Sequence, residues 1–295
     1  MPPDGAPNLL HARLSTLLDT VPAAQAGDVA SVHHARVASR RLREVLPVAG
    51  VHAQHATRRA LKHVRRVTRA LGPVREIDVA LEHLVEFANR GVCSPRAIAH
   101  VRRGLEREGQ ARRRAMLSVL TPSRMQKLEK RLARFGKTPL SAQDRANALA
   151  AAASRVVHRA TRLREAIDRA GAMYLADRLH AVRVAVKKLR YALEIQRELA
   201  RSRATARIRQ LKAVQELLGR LHDLEILIEH TRSVQARTAM TDRPSALELD
   251  RLIRALEDDC RELHAEYMTR RTALVRVSEA LEASAVSRRR RRPAA

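Results

Sequence analysis

The second half of this 295-residue chain repeats the first. Residues 32–43 read VHHARVASRRLR and residues 179–190 read LHAVRVAVKKLR, related by the step of 147 positions that carries His33 onto His180. The same step carries Leu71-Gly72 onto Leu218-Gly219, Glu76 onto Asp223 and Glu82-His83 onto Glu229-His230. A tandem duplication of this size constrains the fold strongly, because whatever unit the first half builds the second must build again. Charge is kept even where the residue changes: Arg40/Lys187, Arg41/Lys188, Lys62/Arg209 and Arg65/Lys212.

Apolar residues recur at helical spacing nearly throughout, and no run alternates with the period of a strand, so an all-α fold is expected. The pattern and its breakers predict first-half helices over 7–21, 28–49, 53–71, 74–89, 95–120 and 122–135. Second-half helices are predicted over 142–170, 176–200, 202–218, 221–239 and 245–283. Gly72-Pro73, Gly91, Pro95 and Pro122 set limits, with Asp28 and Ser94 as N-caps. Gly136-Lys137-Thr138-Pro139 separates repeat one, about 7–136, from repeat two, about 141–284. Short connections between long amphipathic helices imply one antiparallel bundle per half. Residues 287–295, SRRRRRPAA, form a block of like charge with no apolar face and read as a disordered tail.

With 45% hydrophobic residues the chain can bury a sizeable core. A formal charge of +27 and a pI near 11.6 exceed what solubility needs and point to a polyanionic partner: nucleic acid, an acidic membrane surface or polyphosphate. Arginine greatly outnumbers lysine, as a GC-rich coding sequence produces by itself, so the position of charge is more informative than its amount. Cys93 and Cys260 are too few and too far apart for a zinc or disulfide framework and suit a reducing compartment. The N-terminal residues lack a secretory signal pattern, and no apolar run approaches the roughly 18 residues needed to span a bilayer. A cytoplasmic location is expected.

Successive helical residues turn by about 100°, so His33, Arg36, Arg40 and Arg43, at offsets of 0, 3, 7 and 10, share one face. His180, Arg183, Lys187 and Arg190 repeat it. Ala35, Ala38, Leu42, Val45 and Leu46 form the opposite, core-facing stripe. In the next helix Arg58, Lys62, Arg65 and Arg69 make a second row, of which the other half keeps Arg209 and Lys212 but has Thr205 and Glu216 at its ends. Solvated helix faces normally mix signs, because like charges one turn apart repel by a few tenths of a kcal/mol. Rows so nearly all cationic, twice over, point to an anion between or above them.

His33 and His180 lie on the polar side of these rows, where an imidazole beside phosphate gains a charge-assisted hydrogen bond. His11 and His158 also match by position, but their surroundings differ, and they read as structural. Glu76 and Asp223 follow the Leu-Gly pair and read as first-turn acids that pair with a neighbouring arginine. His222-Asp223 is similar to the His-Asp dipeptide of metal-dependent phosphohydrolases. Its copy is Arg75-Glu76, and arginine cannot ligate a metal, so no metal site is expected.

The motifs HxxRVAxRRLR in the first half and HAVRVAVKKLRYALE in the second, followed by LGPVREIDV at 71–79 and LKAVQELLGRLHD at 211–223, resemble the CHAD family, conserved histidine α-helical domains. The likeness runs from about residue 9 to 283, with Glu76 standing where the family has Asp and His222 where Asn is common. It implies a CHAD domain over 1–286, built as two pseudo-symmetric four-helix bundles around a central basic groove or channel that binds inorganic polyphosphate. The ligands it implies are His33, Arg36, Arg40, Arg41 and Arg43 with His180, Arg183, Lys187, Lys188 and Arg190. Lys62, Arg65, Arg209 and Lys212 are the implied walls, and association with polyphosphate granules the implied cellular role.

A polyphosphate chain has no base edges, so arginine and lysine serve equally, which fits their exchange between copies. The alternative is non-specific nucleic-acid binding. Aromatics at 2% and the absence of Trp leave few stacking platforms for it. An enzyme is the third reading. No ExxH pair, P-loop or nucleophile elbow is present, so no catalytic residue and no cofactor is assigned. Chain-length preference, oligomeric state and protein partners leave no mark in the sequence.

Overall fold

The structure, a computed structural model, describes residues 5–51, 53–136, 141–200 and 203–290. Among the described residues every long element is a helix: α1 Ala6–Ala26, α2 Val29–Ala49, α3 Gln54–Asn89, α4 Pro95–Val119, α5 Pro122–Ala133, α6 Ala142–Ala170, α7 Ala176–Ala200, α8 Thr205–Thr238 and α9 Arg243–Arg290. A 3₁₀ turn at Arg134–Gly136 follows α5.

Local chemistry sets most of the ends. The Asp28 carboxylate accepts from the Ser31 N–H at 2.7 Å, and the Ser94 hydroxyl accepts from the Ala97 N–H at 3.3 Å, each satisfying an orphan donor of a first helical turn. Pro95 and Pro122 occupy first-turn positions where a missing N–H does no harm. Gly27, at φ +105°, closes α1 in the left-handed conformation a side chain disfavours.

Four boundaries differ from the sequence expectation. α3 runs unbroken through Gly72-Pro73, and α8 unbroken through Gly219. A proline inside a helix costs about 3 kcal/mol and a glycine about 1. Val64, Val67, Leu71, Val74 and Ile77 are all buried across the first site, as are Val214, Leu218, Leu221 and Leu224 across the second, and this burial outweighs the local cost. α1 likewise continues past residue 21, through Pro22. α9 extends to Arg290, so 287–290 of the expected disordered tail are helical, while 291–295 lie outside the described residues. α9 also spans the region matching both α4 and α5. The reason is Pro122, whose counterpart is Thr269.

The helices bury three apolar clusters. One joins α1, α2, the first half of α3 and α5, around Leu10, Leu17, Leu42 and Leu71. The second joins α6, α7, the first half of α8 and the end of α9, around Leu163, Leu189, Leu218 and Tyr267. The third takes α4, the second halves of α3 and α8, and the start of α9, with Leu84, Phe87, Leu227 and Leu256 at its centre. The two copies therefore share a core. Ion pairs cross the same boundary: Arg220 to Glu86 at 3.1 Å, Arg90 to Asp259 at 2.8 Å and Arg13 to Glu198 at 3.0 Å. No described helix is long and apolar enough to cross a membrane.

Candidate anion-binding site

The expected stripe of α2, Ala35, Ala38, Leu42, Val45 and Leu46, is buried, and on α7 Val182, Val186 and Leu189 do the same. This fixes the roll of both helices. His33, Arg36, Arg40 and Arg43 are thereby carried along one flank of α2, and His180, Arg183 and Lys187 along the matching flank of α7.

Arg36 and Arg183 occupy equivalent positions. The Arg36 guanidinium passes over Gly72, where a Cβ would lie 3.8 Å from its Nε, and Arg183 passes over Gly219 with 3.9 Å to spare. Each then meets one carboxylate: Arg36 Nη2 lies 3.8 Å from Glu76 Oε1 and Arg183 Nη2 3.7 Å from Asp223 Oδ1. Their side chains are only 17% and 15% exposed. Glu76 and Asp223 thus pair with arginines as expected, but from mid-helix, since neither sits in a first turn. Arg112 of α4 adds a second cation to Glu76 at 3.5 Å.

The two copies meet at this point. Burial pulls Arg36 below the usual guanidinium range, with Glu76 opposing and Arg183 adding to the shift. Arg40 is pushed down to about 9 by burial first and then by Arg36, with Arg183 and Arg43 acting in the same sense. Lys187 is pushed down to about 6 by burial and then by Arg40, Arg183 and Arg36. Four cations, two from each copy, thus share one poorly hydrated space with two carboxylates. Burial, which disfavours the charged form, is the larger cause in each case and the neighbouring cations add to it, most of all at Lys187.

The histidines flank this centre differently. His33 is exposed, and its imidazole is pulled below the usual range by burial of part of the ring and by Arg75, His34 and Arg36. His180 is half-buried, with Nδ1 3.3 Å from Nδ1 of His222, so one ring donates and the other accepts. Burial, His222 and Arg183 push His180 down to about 4. His222 also faces Glu225 at 3.7 Å, whereas Asp223 turns to Arg183. The His-Asp dipeptide does not converge, and among the described residues no three His, Cys, Asp or Glu side chains gather as a metal site.

A second ring of charge lies one turn further along. Burial lowers Arg43, with Glu44 opposing and Arg65, Arg69 and Arg159 adding to the effect. Burial lowers Lys188 in the same way, with Arg159 adding and Glu44 opposing. Glu44 is the buried counter-ion, accepting from Arg155 at 2.6 Å and Arg159 at 3.4 Å. Nε of Arg36, Arg41, Arg155 and Arg159 is buried without an acceptor among the described residues.

Other expected residues are placed elsewhere. Arg190 is buried and turned to Gln215 at 2.9 Å and to Glu194, so it locks α7 to α8. Arg41 lies 3.8 Å from the same Glu194. Lys62, Arg65 and Arg209 are exposed on α3 and α8, and Lys212 pairs with Glu216 at 3.5 Å. Of these four, Arg65 is among the charges that lower Arg43. Sequence reasoning missed Arg159, Glu44 and Tyr191, the last bearing on both Arg36 and Arg40. A search by duplication cannot find them: the counterpart of Arg159 is Ala12, and Glu44 and Tyr191 are counterparts of each other.

Fold and site together define an internally duplicated, all-helical domain whose paired helices meet in a desolvated cationic centre. The CHAD domain family matches residues 8–232, and the chain belongs to that family. Two solved structures share its fold. The CHAD domain from the plant Ricinus communis has 23% identity and a TM-score of 0.57, over 92% of this chain and 89% of that one. PptA from Streptomyces chartreusis has 18% identity and a TM-score of 0.56, over 96% and 98%. No curated protein matches the sequence.

Proposed function

We propose that this protein binds inorganic polyphosphate in a groove between its two pseudo-symmetric four-helix repeats, and that it does so without catalysing a reaction. The observation that carries this reading is the convergence of Arg36 and Arg40 with Arg183 and Lys187 in one desolvated space. Folding alone gains nothing from such an arrangement. A flexible polyanion restores to each cation what burial removed, and needs no aromatic platform to do so.

In this reading Arg36, Arg40, Arg183 and Lys187 form the floor. Arg41, Arg43, Lys188 and the newly recognised Arg159 continue the track, His33 and His180 flank it, and Lys62, Arg65, Arg209 and Lys212 attract the chain from outside. A protein so equipped belongs in the cytoplasm and on polyphosphate granules. Duplex DNA is the competing ligand. A buried floor disfavours it, because a duplex is too wide to bring its phosphates into a space hydrated so little.

The test is a titration with long-chain polyphosphate across a salt series. Neutralising eight to ten phosphates gives a log-log slope of roughly −6 to −7. A slope near −1, equal affinity for orthophosphate, or displacement by equimolar duplex DNA sinks the proposal.

A further inference from the structure

We propose a second anion site, separate from the duplicated centre, that takes a compact di- or triphosphate group in the cavity between α4 and the end of α8. This cavity, about 500 Å³, is lined by His100, Arg103, Arg107, Gln110, Arg237 and Thr238, with Val234 on its wall. α4 comes close to α8 here because Gly104 has no side chain; a Cβ would lie 2.9 Å from Val234 Cγ2. None of the three arginines meets a carboxylate within 4 Å among the described residues, whereas Arg96 and Arg232 nearby do. Glu106 is the one acid on the lining, which leaves a net charge of +2 with His100 neutral.

The duplication supplies an internal control. The counterparts of Arg107 and Arg237 are Arg254 and Arg90, and both are neutralised, Arg254 by Asp250 at 2.6 Å and Arg90 by Asp259 at 2.8 Å. Asp250 is itself the counterpart of Arg103. Each of the two equivalent sites draws on both copies: at the α3–α9 site the cations are held in ion pairs, whereas at the α4–α8 site Arg103 stands in place of the acid and the cations are bare. Polarity of this kind on one side only is what a ligand site requires and a solvated helix face does not.

Positioning is also built in. Arg96 Nε and Ser245 Oγ donate to Asp242 Oδ2 at 2.7 and 2.8 Å, and the same carboxylate holds His100 Nε2 at 3.3 Å. That fixes the tautomer with Nε2 protonated, leaving Nδ1 to accept from Arg103 Nη2 at 3.3 Å. The chain of bonds aims the Arg103 fork; Arg103 Nε donates to the Ala99 carbonyl at 3.2 Å and Arg107 Nε to the Arg103 carbonyl at 3.3 Å, which leaves Nη1 of Arg103 and both Nη groups of Arg107 without an acceptor among the described residues. Forked donors match phosphate oxygens. The volume suits a few phosphate units and falls within the range of small-ligand pockets, about 300–1,000 Å³.

Calorimetric titration with tripolyphosphate tests this. R36E/R183E should retain one bound equivalent per chain, and adding R107Q/R237Q should weaken that remaining binding at least ten-fold. R254Q/R261Q, which changes two exposed, paired arginines of α9, should leave it unaltered. Binding lost altogether in a folded R36E/R183E protein, or unchanged on adding R107Q/R237Q, overturns the site. Should R36E/R183E fail to fold, R107Q/R237Q alone should lower the stoichiometry of the otherwise native protein by one, and an unchanged stoichiometry is again contrary. A native protein that binds tripolyphosphate only through Arg107 and Arg237 would refute the polyphosphate groove and leave this site standing.

Discussion

At the scale of single residues, Lys187 is where burial and charge conflict most. Its folded value of about 6 lies well below the ordinary lysine value of 10.5, so between these limits the unfolded chain holds a proton that the native protein has released. Stability in the absence of ligand should therefore rise with pH across that window, and Lys187→Met should flatten the rise in denaturant titrations. A bound anion acts in the opposite sense by favouring the ammonium form. Polyphosphate binding should take up close to one proton at Lys187 near neutrality, so affinity should strengthen as pH falls from about 8 to 6. His180, held at about 4 when free, adds the same sign. Lys187→Arg keeps the charge but not the titration, and affinity measured across that range should then vary less with pH. A profile identical to the native one would remove Lys187 from the site.

At the scale of the helix, Gly72 and Gly219 are clearances rather than breaks. Gly219 sits inside α8 beneath Arg183, with room for a methyl group at ordinary van der Waals distance. Gly219→Ala should stabilise the helix by about 0.5–1 kcal/mol and leave polyphosphate binding intact. Gly219→Leu should displace the guanidinium and weaken binding while circular dichroism reports the same helix content. If both variants bind alike, the arginine's path over the glycine is immaterial. Helical class, the apolar stripe of α2 and the equivalence of Arg36 with Arg183 were all legible in the sequence, since each follows from spacing and duplication. The continuity of α3 and α8 was not, because local propensity at Gly72-Pro73 and Gly219 opposes it and only tertiary burial decides. Arg190 escaped for a related reason. It shares the cationic row by spacing, but Glu194 and Gln215, one turn along and on the neighbouring helix, claim it.

At the scale of the molecule, the third apolar cluster makes the copies interdependent. Phe87 of α3 is fully buried there among residues of α8 and α9. Phe87→Ala should cost about 3–5 kcal/mol, and calorimetry should still show one cooperative transition. Two separated transitions would mean that each repeat folds alone. A fused core also holds α2 and α7 in fixed register, as the proposed groove requires if cations from two distant stretches of chain are to act on one ligand. A double-mutant cycle on Arg36→Gln and Arg183→Gln, read as affinity for long-chain polyphosphate, tests this central claim most directly. Each single change should lose about 1.5–3 kcal/mol of binding, and the double should fall short of their sum by at least about 1 kcal/mol. Losses that add to within about 0.5 kcal/mol, or no loss at either position, would mean that the two arginines do not share a phosphate chain.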